Sequence, residues 1–214
     1  MTKRAGHGAR APRGRPKARR RPLPGPDEPE SPASRILAAA DRLFYGEGIH
    51  AVGVDAVAAG AGVTKRTLYH HFASKDALVT AYLSRRAAPP VIDQTMPPAA
   101  QILRLFRQLG KALTSETFRG CPFINAAAEL ADRNHQAITV ASAYKARREA
   151  WFRNLTELAG ARDPAALAQQ LMILLDGAIA NWLVRRDPST ADAAGAAAAM
   201  LLRGAGVALP ADDA

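Results

Sequence analysis

The sequence predicts an all-α protein with an N-terminal three-helix, helix-turn-helix domain and a larger C-terminal helical domain. Two observations lead to this prediction. From residue 32 onward, apolar side chains recur at the three- and four-residue spacing of amphipathic helices, and only residues 49–54 alternate weakly, like a strand. Between residues 55 and 71, two short helical segments flank a glycine-containing turn, which is the spacing of a helix-turn-helix.

The chain begins with a cationic arm. It has 29 Lys and Arg residues against 19 Asp and Glu residues, a net charge of +10. Nine of the basic residues and none of the acidic ones lie in residues 1–26, so the remainder is close to neutral. Because residues 1–31 are rich in Arg, Pro, Gly and Ala and nearly lack large apolar side chains, we expect them to be disordered.

Capping residues divide the next part of the chain into four helices. Ser31 is an N-cap candidate for the first, Thr64 for the third and Ser74 for the fourth, while the second helix covers residues 55–60. A proline pair after residue 88 ends the fourth helix. The first three helices form too small a unit to be stable without further helices behind them.

Five more helices are predicted toward the C-terminus. The fifth covers about residues 102–113, and Cys121 opens a short sixth helix. The seventh is long and carries Trp151, the eighth begins at Asp163, and Ser189 starts a ninth with a capping-box-like pattern.

Several classes of protein are excluded by composition. One cysteine cannot form an intramolecular disulfide or a zinc module of paired cysteines. No run of 18 apolar residues predicts a transmembrane helix, and the N-terminus lacks the apolar core of a secretory signal. No catalytic triad, phosphate-binding glycine loop or carboxylate pair is evident. We therefore expect a cytoplasmic protein that is not an enzyme and uses no membrane, metal or cofactor.

The chemistry is concentrated in residues 55–72. Val57 and Leu68 are placed to form the small core between the two short helices, and Gly62 fits the turn. The outer side of the second helix carries side chains that donate hydrogen bonds to base edges and phosphates in a major groove. These side chains are Thr64, Lys65, Arg66, Thr67 and His70, with Tyr69 and Lys75 placed to hold the DNA backbone.

This segment resembles the TetR family of transcriptional regulators. The match runs from residue 35 to about residue 82. Its ordered residues include Ile36, Leu37, Leu43, Phe44, Gly48, Val57, Ala58, Ala61, Gly62, Val63, Thr67, Leu68, Tyr69, His71, Phe72, Ser74, Lys75 and Leu78. The resemblance implies a basic arm over residues 1–31, a helix-turn-helix DNA-binding domain over 32–83, and an effector-binding and dimerisation domain over 84–214.

The resemblance also implies which residues meet double-stranded DNA at a palindromic operator. Carried over by position, Thr64, Lys65, Arg66, Thr67 and Tyr69 contact the operator. His70 and His71 border it, and Lys75 contacts a phosphate. One position departs from the family pattern, because Gly53 stands where a Ser or Thr usually bonds a phosphate.

A homodimer is implied as well, with its interface on the eighth and ninth helices. The candidate interface residues are Leu171, Leu174, Leu175, Ala178, Trp182 and Leu201. The alternative is that these apolar stripes bury only against their own domain. For a helix as apolar as residues 171–183, burial of both faces is expected, one inward and one across the dimer.

The resemblance implies an effector cavity lined by helices five to seven. The candidates are Leu103, Phe106, Leu109, Phe123, Asn125, Tyr144, Trp151 and Met172. Their apolar bias favours a small hydrophobic or aromatic effector. Cys121, at a helix start and close to an arginine, has two interpretations: a reactive thiol, or a small buried residue that shapes the junction.

The arm contains Arg13 and Arg15 within residues 12–17, which resemble an AT-hook. In that motif an Arg-Gly-Arg-Pro core lies in a narrow A/T-rich minor groove. The alternative is a generic cationic arm that raises non-specific affinity.

Three hypotheses for function follow. The first is a repressor released from its operator by a small effector. The second is an architectural DNA-binding protein dominated by the arm, and the third is a thiol-based redox or electrophile sensor acting through Cys121.

Overall fold

The computed structural model describes residues 31–88 and 90–210, and the arm with Arg13 and Arg15 lies outside this part of the chain. Within the described residues the secondary structure is entirely helical, which confirms the predicted fold class. The helices are α1 (Pro32–Glu47), α2 (Val54–Gly60), α3 (Lys65–His71), α4 (Lys75–Arg86), α5 (Pro98–Leu113), α6 (Pro122–Glu129), α7 (Gln136–Leu158), α8 (Pro164–Arg185) and α9 (Thr190–Gly204).

Three predicted N-caps and the predicted start of the eighth helix are confirmed. The side-chain oxygens of Ser31, Thr64, Ser74 and Asp163 each accept a hydrogen bond from the backbone N–H three residues later, at 3.0–3.2 Å. Each bond satisfies one of the backbone donors that a helix start leaves without an intrahelical partner. The start positions of α1, α3, α4 and α8 therefore follow from local sequence.

Two local predictions were wrong in part or in full. The ninth helix begins directly after Ser189, as predicted, but the Ser189 side chain does not cap it: its backbone is helical rather than extended (φ −69°, ψ −12°), and its hydroxyl donates to Asp187 Oδ1 at 2.7 Å. Residues 49–53 form a turn and a short link rather than a strand, and Val54 already begins α2; Ile49 and Val52 of this link are buried in the first core. An unforeseen cap appears at α7, where His135 Nδ1 accepts the backbone N–H of Ala137 at 3.0 Å.

The helices enclose two apolar cores. The first is formed by α1–α4 together with α6 and the start of α7, and includes Phe123 and Ala141. The second is formed by α5, the rest of α7, α8 and α9. The helix-turn-helix thus packs against α6 and α7. These are the additional helices that the short N-terminal unit was predicted to need for stability.

Helix α8 is long and apolar enough to cross a membrane when judged by length and composition alone. It nevertheless buries seven residues, among them Leu171 and Trp182, and packs against α7 and α9. Its apolar character is explained by its place in the second core.

Candidate nucleic-acid interface and effector cavity

The helix-turn-helix is built by a tight turn between α2 and α3. The backbone N–H groups of Gly62 and Val63 donate back to the carbonyls of Ala59 and Ala58 at 3.1 and 3.0 Å. Gly62 has φ +62°, a left-handed conformation that glycine adopts without steric cost. Leu68 is then fully buried in the first core, which fixes the face that α3 turns outward.

The outward face of α3 carries most of the residues predicted to read DNA. Lys65, Arg66, Tyr69, His70 and His71 are all exposed, and Tyr69 leaves 43% of its surface accessible. Only Leu68 of this seven-residue helix is buried, so α3 contributes little to the core and presents nearly all of its side chains to solvent.

Two interactions pre-position side chains at the start of α3. The hydroxyls of Thr64 and Thr67 lie 2.9 Å apart and hydrogen-bond to each other. Lys65 Nζ lies 3.0–3.1 Å from the Asp55 carboxylate, and both side chains are exposed. The hydrogen bond and the charge of Asp55 raise the pKa of Lys65 above its ordinary value, so the ammonium stays protonated.

Arg66 and Gly53 complete the surface next to this pair. Within the described part of the chain, Arg66 makes no ion pair or side-chain hydrogen bond, which leaves its guanidinium available. Gly53 is the exposed N-cap of α2 without a side-chain cap, and a Cβ there would meet nothing within 4 Å. Lys75, half-buried, lies in the first turn of α4.

The segment from residue 119 to residue 129 joins the helix-turn-helix to the C-terminal helices. Tyr45 Oη donates to the carbonyl of Gly120 and accepts the backbone N–H of Arg119, both at 3.0 Å. At the other end of the segment, Glu129 Oε2 accepts the backbone N–H of His50 at 2.8 Å. These contacts tie α1 and the α1–α2 turn to the loop before α6 and to the end of α6.

A cavity of about 280 Å³ lies among α5, α7, α8 and the start of α6; we call it the effector cavity. Its lining residues are Leu105, Gln108, Leu109, Ala112, Phe118, Gly120, Cys121, Pro122, Tyr144, Lys145, Arg148, Met172, Leu175, Asp176 and Ile179. A second space of about 270 Å³, the loop groove, shares Leu105, Gln108 and Arg148 with it and extends to Trp151 and the loop before α5.

The predicted effector residues fall into three groups. Leu109, Tyr144 and Met172 line the effector cavity, and Trp151 lines the loop groove. Leu103, Phe106 and Phe123 are core residues that line neither space. Asn125 has a structural bond, because its side-chain N–H donates to the carbonyl of Arg119 at 2.8 Å.

The sequence analysis missed the charged and amide groups of the cavity. Lys145 Nζ lies 2.6 and 2.7 Å from the two carboxylate oxygens of Asp176. Arg148 donates to Tyr144 Oη at 2.9 Å. The polar residues of α7 that face the cavity were a possible signal of this site. However, Asp176, the partner of Lys145, is 31 residues away in the chain, and the periodicity of apolar residues does not reveal such pairs.

The predicted dimer residues also divide. Leu171, Leu175, Ala178 and Trp182 are buried within the single chain, so the burial of Leu171 needs no second chain. Leu174 and Leu201 are partly exposed and line two different pockets between α8 and α9, which we together call the outer groove. The outer groove is lined by Ala166, Gln170, Leu174, Gly177, Ala178, Asn181, Ala193, Ala197, Met200, Leu201 and Gly204, among others.

Helix α3 is short and polar, and the tight turn before it leaves its side chains exposed. Helices α5, α7 and α8 and the start of α6 surround a cavity. These features define a helix-turn-helix regulator of transcription. Residues 36–82 match the family model of bacterial regulatory proteins of the tetR family. The chain is 30% identical over 187 residues to the transcriptional regulator AcuR of Cereibacter sphaeroides, covering 79% of this chain and 85% of that one.

Solved structures agree with this match. One, named as a TetR transcriptional regulator from Streptomyces avermitilis, is 36% identical with a TM-score of 0.76, and the alignment covers 83% of this chain and all of that chain. Another, a TetR-family regulator from Streptomyces coelicolor, is 32% identical with a TM-score of 0.71, covering 82% and 97%. The protein belongs to the TetR family of transcriptional regulators.

Proposed function

We propose that the protein is a cytoplasmic homodimeric repressor that binds a palindromic operator through α3 and is released when a small effector fills the effector cavity. The observation that carries this proposal is the surface of α3, which buries Leu68 alone and exposes two cations and three aromatic or imidazole rings. Such a surface suits a major groove, because base edges and phosphates both accept hydrogen bonds from these side chains.

The roles of the individual side chains follow from their positions. Arg66 has free donors and is the candidate for base readout, while Thr64, Lys65, Thr67 and Tyr69 flank it. His70 and His71 border the contact, and Lys75 at the start of α4 suits a phosphate. The pairing of Lys65 with Asp55 must open or be shared when phosphate approaches.

The outer groove of α8 and α9 is the candidate dimer surface. Ile173 and Met200 lie on these helices and leave 65% and 69% of their surfaces exposed, while Gly177, Ala197 and Gly204 leave room for close helix approach. Leu174 and Leu201 border the same groove. A two-fold dimer formed here would present two copies of α3 to the two half-sites of a palindrome.

The 119–129 segment is the candidate link between the effector and DNA. Gly120, Cys121 and Pro122 line the effector cavity, and the same segment holds Tyr45 and the α1–α2 turn by hydrogen bonds. An effector that displaces the segment would therefore move the helix-turn-helix. It would change DNA binding only if the effector binds the displaced arrangement of the segment more tightly than the original one.

The decisive experiment is selection of binding sites from a randomised DNA pool, with the full chain and with residues 1–31 removed. We expect a palindrome that survives truncation, with flanking A/T enrichment only if Arg13 and Arg15 act as a minor-groove hook. Arg66→Ala should weaken operator binding by about 1–3 kcal/mol and relax one position of the site. Arg153→Ala, an exposed arginine on α7, is the matched control.

Two results would contradict the proposal in favour of its rivals. If removal of the arm abolishes all DNA binding and no palindrome is selected, the architectural hypothesis is favoured. A thiol-based response gains support from the position of Cys121 in the cavity wall. Operator release by an electrophile that disappears in Cys121→Ser would establish that third hypothesis.

A further inference from the structure

The charged groups of the effector cavity do not balance. Three ionisable side chains with a full charge at neutral pH line it: Lys145, Arg148 and Asp176. Lys145 and Asp176 form a close ion pair, with both oxygens of the carboxylate on the ammonium at 2.6 and 2.7 Å. This pair is self-contained, so one positive charge, that of Arg148, is left over.

Arg148 has no carboxylate partner among the described residues. Its contacts there are one hydrogen bond to Tyr144 Oη at 2.9 Å and the rings of Tyr144 and Trp151, whose centroids lie 5.7 Å from the guanidinium carbon. The residues one helical turn away on α7 are Tyr144, Lys145, Trp151 and Phe152, none of which is acidic. A guanidinium has five N–H donors, so most of them are available to a ligand.

One acidic residue, Asp93, lines the loop groove, and its carboxylate is held by hydrogen bonds within its own loop. Asp93 Oδ1 accepts both the hydroxyl and the backbone N–H of Thr95, at 2.6 and 2.9 Å, and these bonds lower the pKa of the carboxyl. Arg104, which also lines the groove, adds a further positive charge on that side. Because Asp93 stays a carboxylate, it offsets the charge of Arg104, and one positive charge, that of Arg148, remains across the two spaces.

Most of the remaining cavity wall is apolar, and the volume is small. Leu105, Leu109, Phe118, Met172 and Ile179 surround the space. About 280 Å³ lies just below the usual range of small-molecule sites, which suits a ligand of few atoms. A half-buried arginine in such surroundings gains more from a paired anion than it would in water, because the local dielectric constant is lower.

We propose that the effector cavity binds a small organic carboxylate, with its apolar body among these side chains and its carboxylate on Arg148. The planar guanidinium fork matches a carboxylate in a bidentate geometry. Gln108, which lines both spaces as Arg148 does, offers an amide beside the same position. This inference rests on the proposed effector site and names the chemical class of its ligand.

The test compares carboxylates with neutral amides of the same carbon skeleton. Full-length protein without DNA is titrated by calorimetry at pH 7.5 with benzoate, phenylacetate, hexanoate and octanoate, and then with the four corresponding amides. We expect at least one carboxylate to bind and its amide to bind at least 10-fold more weakly, which is the size of a charge-assisted hydrogen bond.

Variants of two adjacent arginines locate the anion. Arg148→Gln should lower the affinity for the carboxylate 10- to 100-fold and change the affinity for the amide little. Arg148→Lys should retain part of the carboxylate affinity. Arg147→Gln is the matched control, because Arg147 is exposed and bonds to the carbonyl of Ala87 outside the cavity. Melting curves of all three variants verify that they fold.

Three outcomes would overturn the inference: equal binding of acids and amides, unchanged carboxylate affinity in Arg148→Gln, or no carboxylate of the panel bound. Operator binding, measured separately, distinguishes this failure from failure of the proposed function. If an operator is bound but carboxylates are not, only the ligand class is wrong. If carboxylates bind through Arg148 but no operator exists, the site stands and the repressor proposal falls.

Discussion

The hydroxyl of Tyr45 offers the sharpest test of the link between the helix-turn-helix and the cavity wall. Tyr45→Phe removes one atom and both hydrogen bonds to the 119–120 backbone, while the ring stays beneath the Arg86 guanidinium at 4.3 Å. No cavity is created, because the ring remains. Each lost bond contributes about 0.5–1.5 kcal/mol, so we expect the free energy of unfolding to fall by about 1–3 kcal/mol.

The measurement is urea denaturation followed by circular dichroism, at one protein concentration because dimerisation would add to stability. The melting temperature should fall by roughly 2–4 °C per kcal/mol for a chain of this size. Tyr69→Phe is the matched control, since Tyr69 is exposed and makes no side-chain hydrogen bond within the described residues. If both variants unfold within about 0.5 kcal/mol of each other, the reasoning about the Tyr45 link is wrong.

Four further substitutions test other parts of the fold by the same unfolding assay. Asp41→Asn should lower the free energy of unfolding by about 1–2 kcal/mol, because the half-buried guanidinium of Arg86 loses the Asp41 carboxylate that it contacts at 2.8 Å. An unchanged urea midpoint would refute this. Gln101→Met should cost about 1–3 kcal/mol and speed hydrogen exchange in the loop before α5, since this buried amide makes three bonds to the loop backbone. Gly120→Ala should cost about 1–3 kcal/mol, because φ is +88° and the new Cβ would lie 2.7 Å from a leucine of α8. Gly46→Ala, with open space around it, should instead stabilise by about 0.5–1 kcal/mol, and equal behaviour of the two glycines would contradict the steric argument.

Local signals in the sequence predicted helix starts well, because the donor and the acceptor of a cap are three residues apart. Ser31, Thr64 and Ser74 illustrate this. Ser189 shows the limit of such a signal. The backbone of Ser189 is helical, whereas Ser31, Thr64 and Ser74 are extended as a side-chain cap requires, and the sequence pattern does not reveal this difference.

The buried face of each helix and the interaction partners of charged side chains were harder to predict than the helices themselves. Helix α8 is apolar on most sides, so periodicity alone could not assign Leu171 to its own core and Leu174 to the outer groove. The same holds for the cavity: the sequence predicted its apolar wall in part, through Leu109 and Met172. It did not predict Arg148, because a charge is recognised as unpaired only when all of its neighbours in space are known.

The nearly complete exposure of α3 has a consequence for how such a regulator could acquire new targets. Only Leu68 of the helix belongs to the core, so the remaining positions can change without a large loss of stability. Target choice and foldability are then encoded by separate residues. A library that randomises the exposed positions of α3 and keeps Leu68 should therefore yield mostly folded proteins that differ in the DNA sequences they prefer.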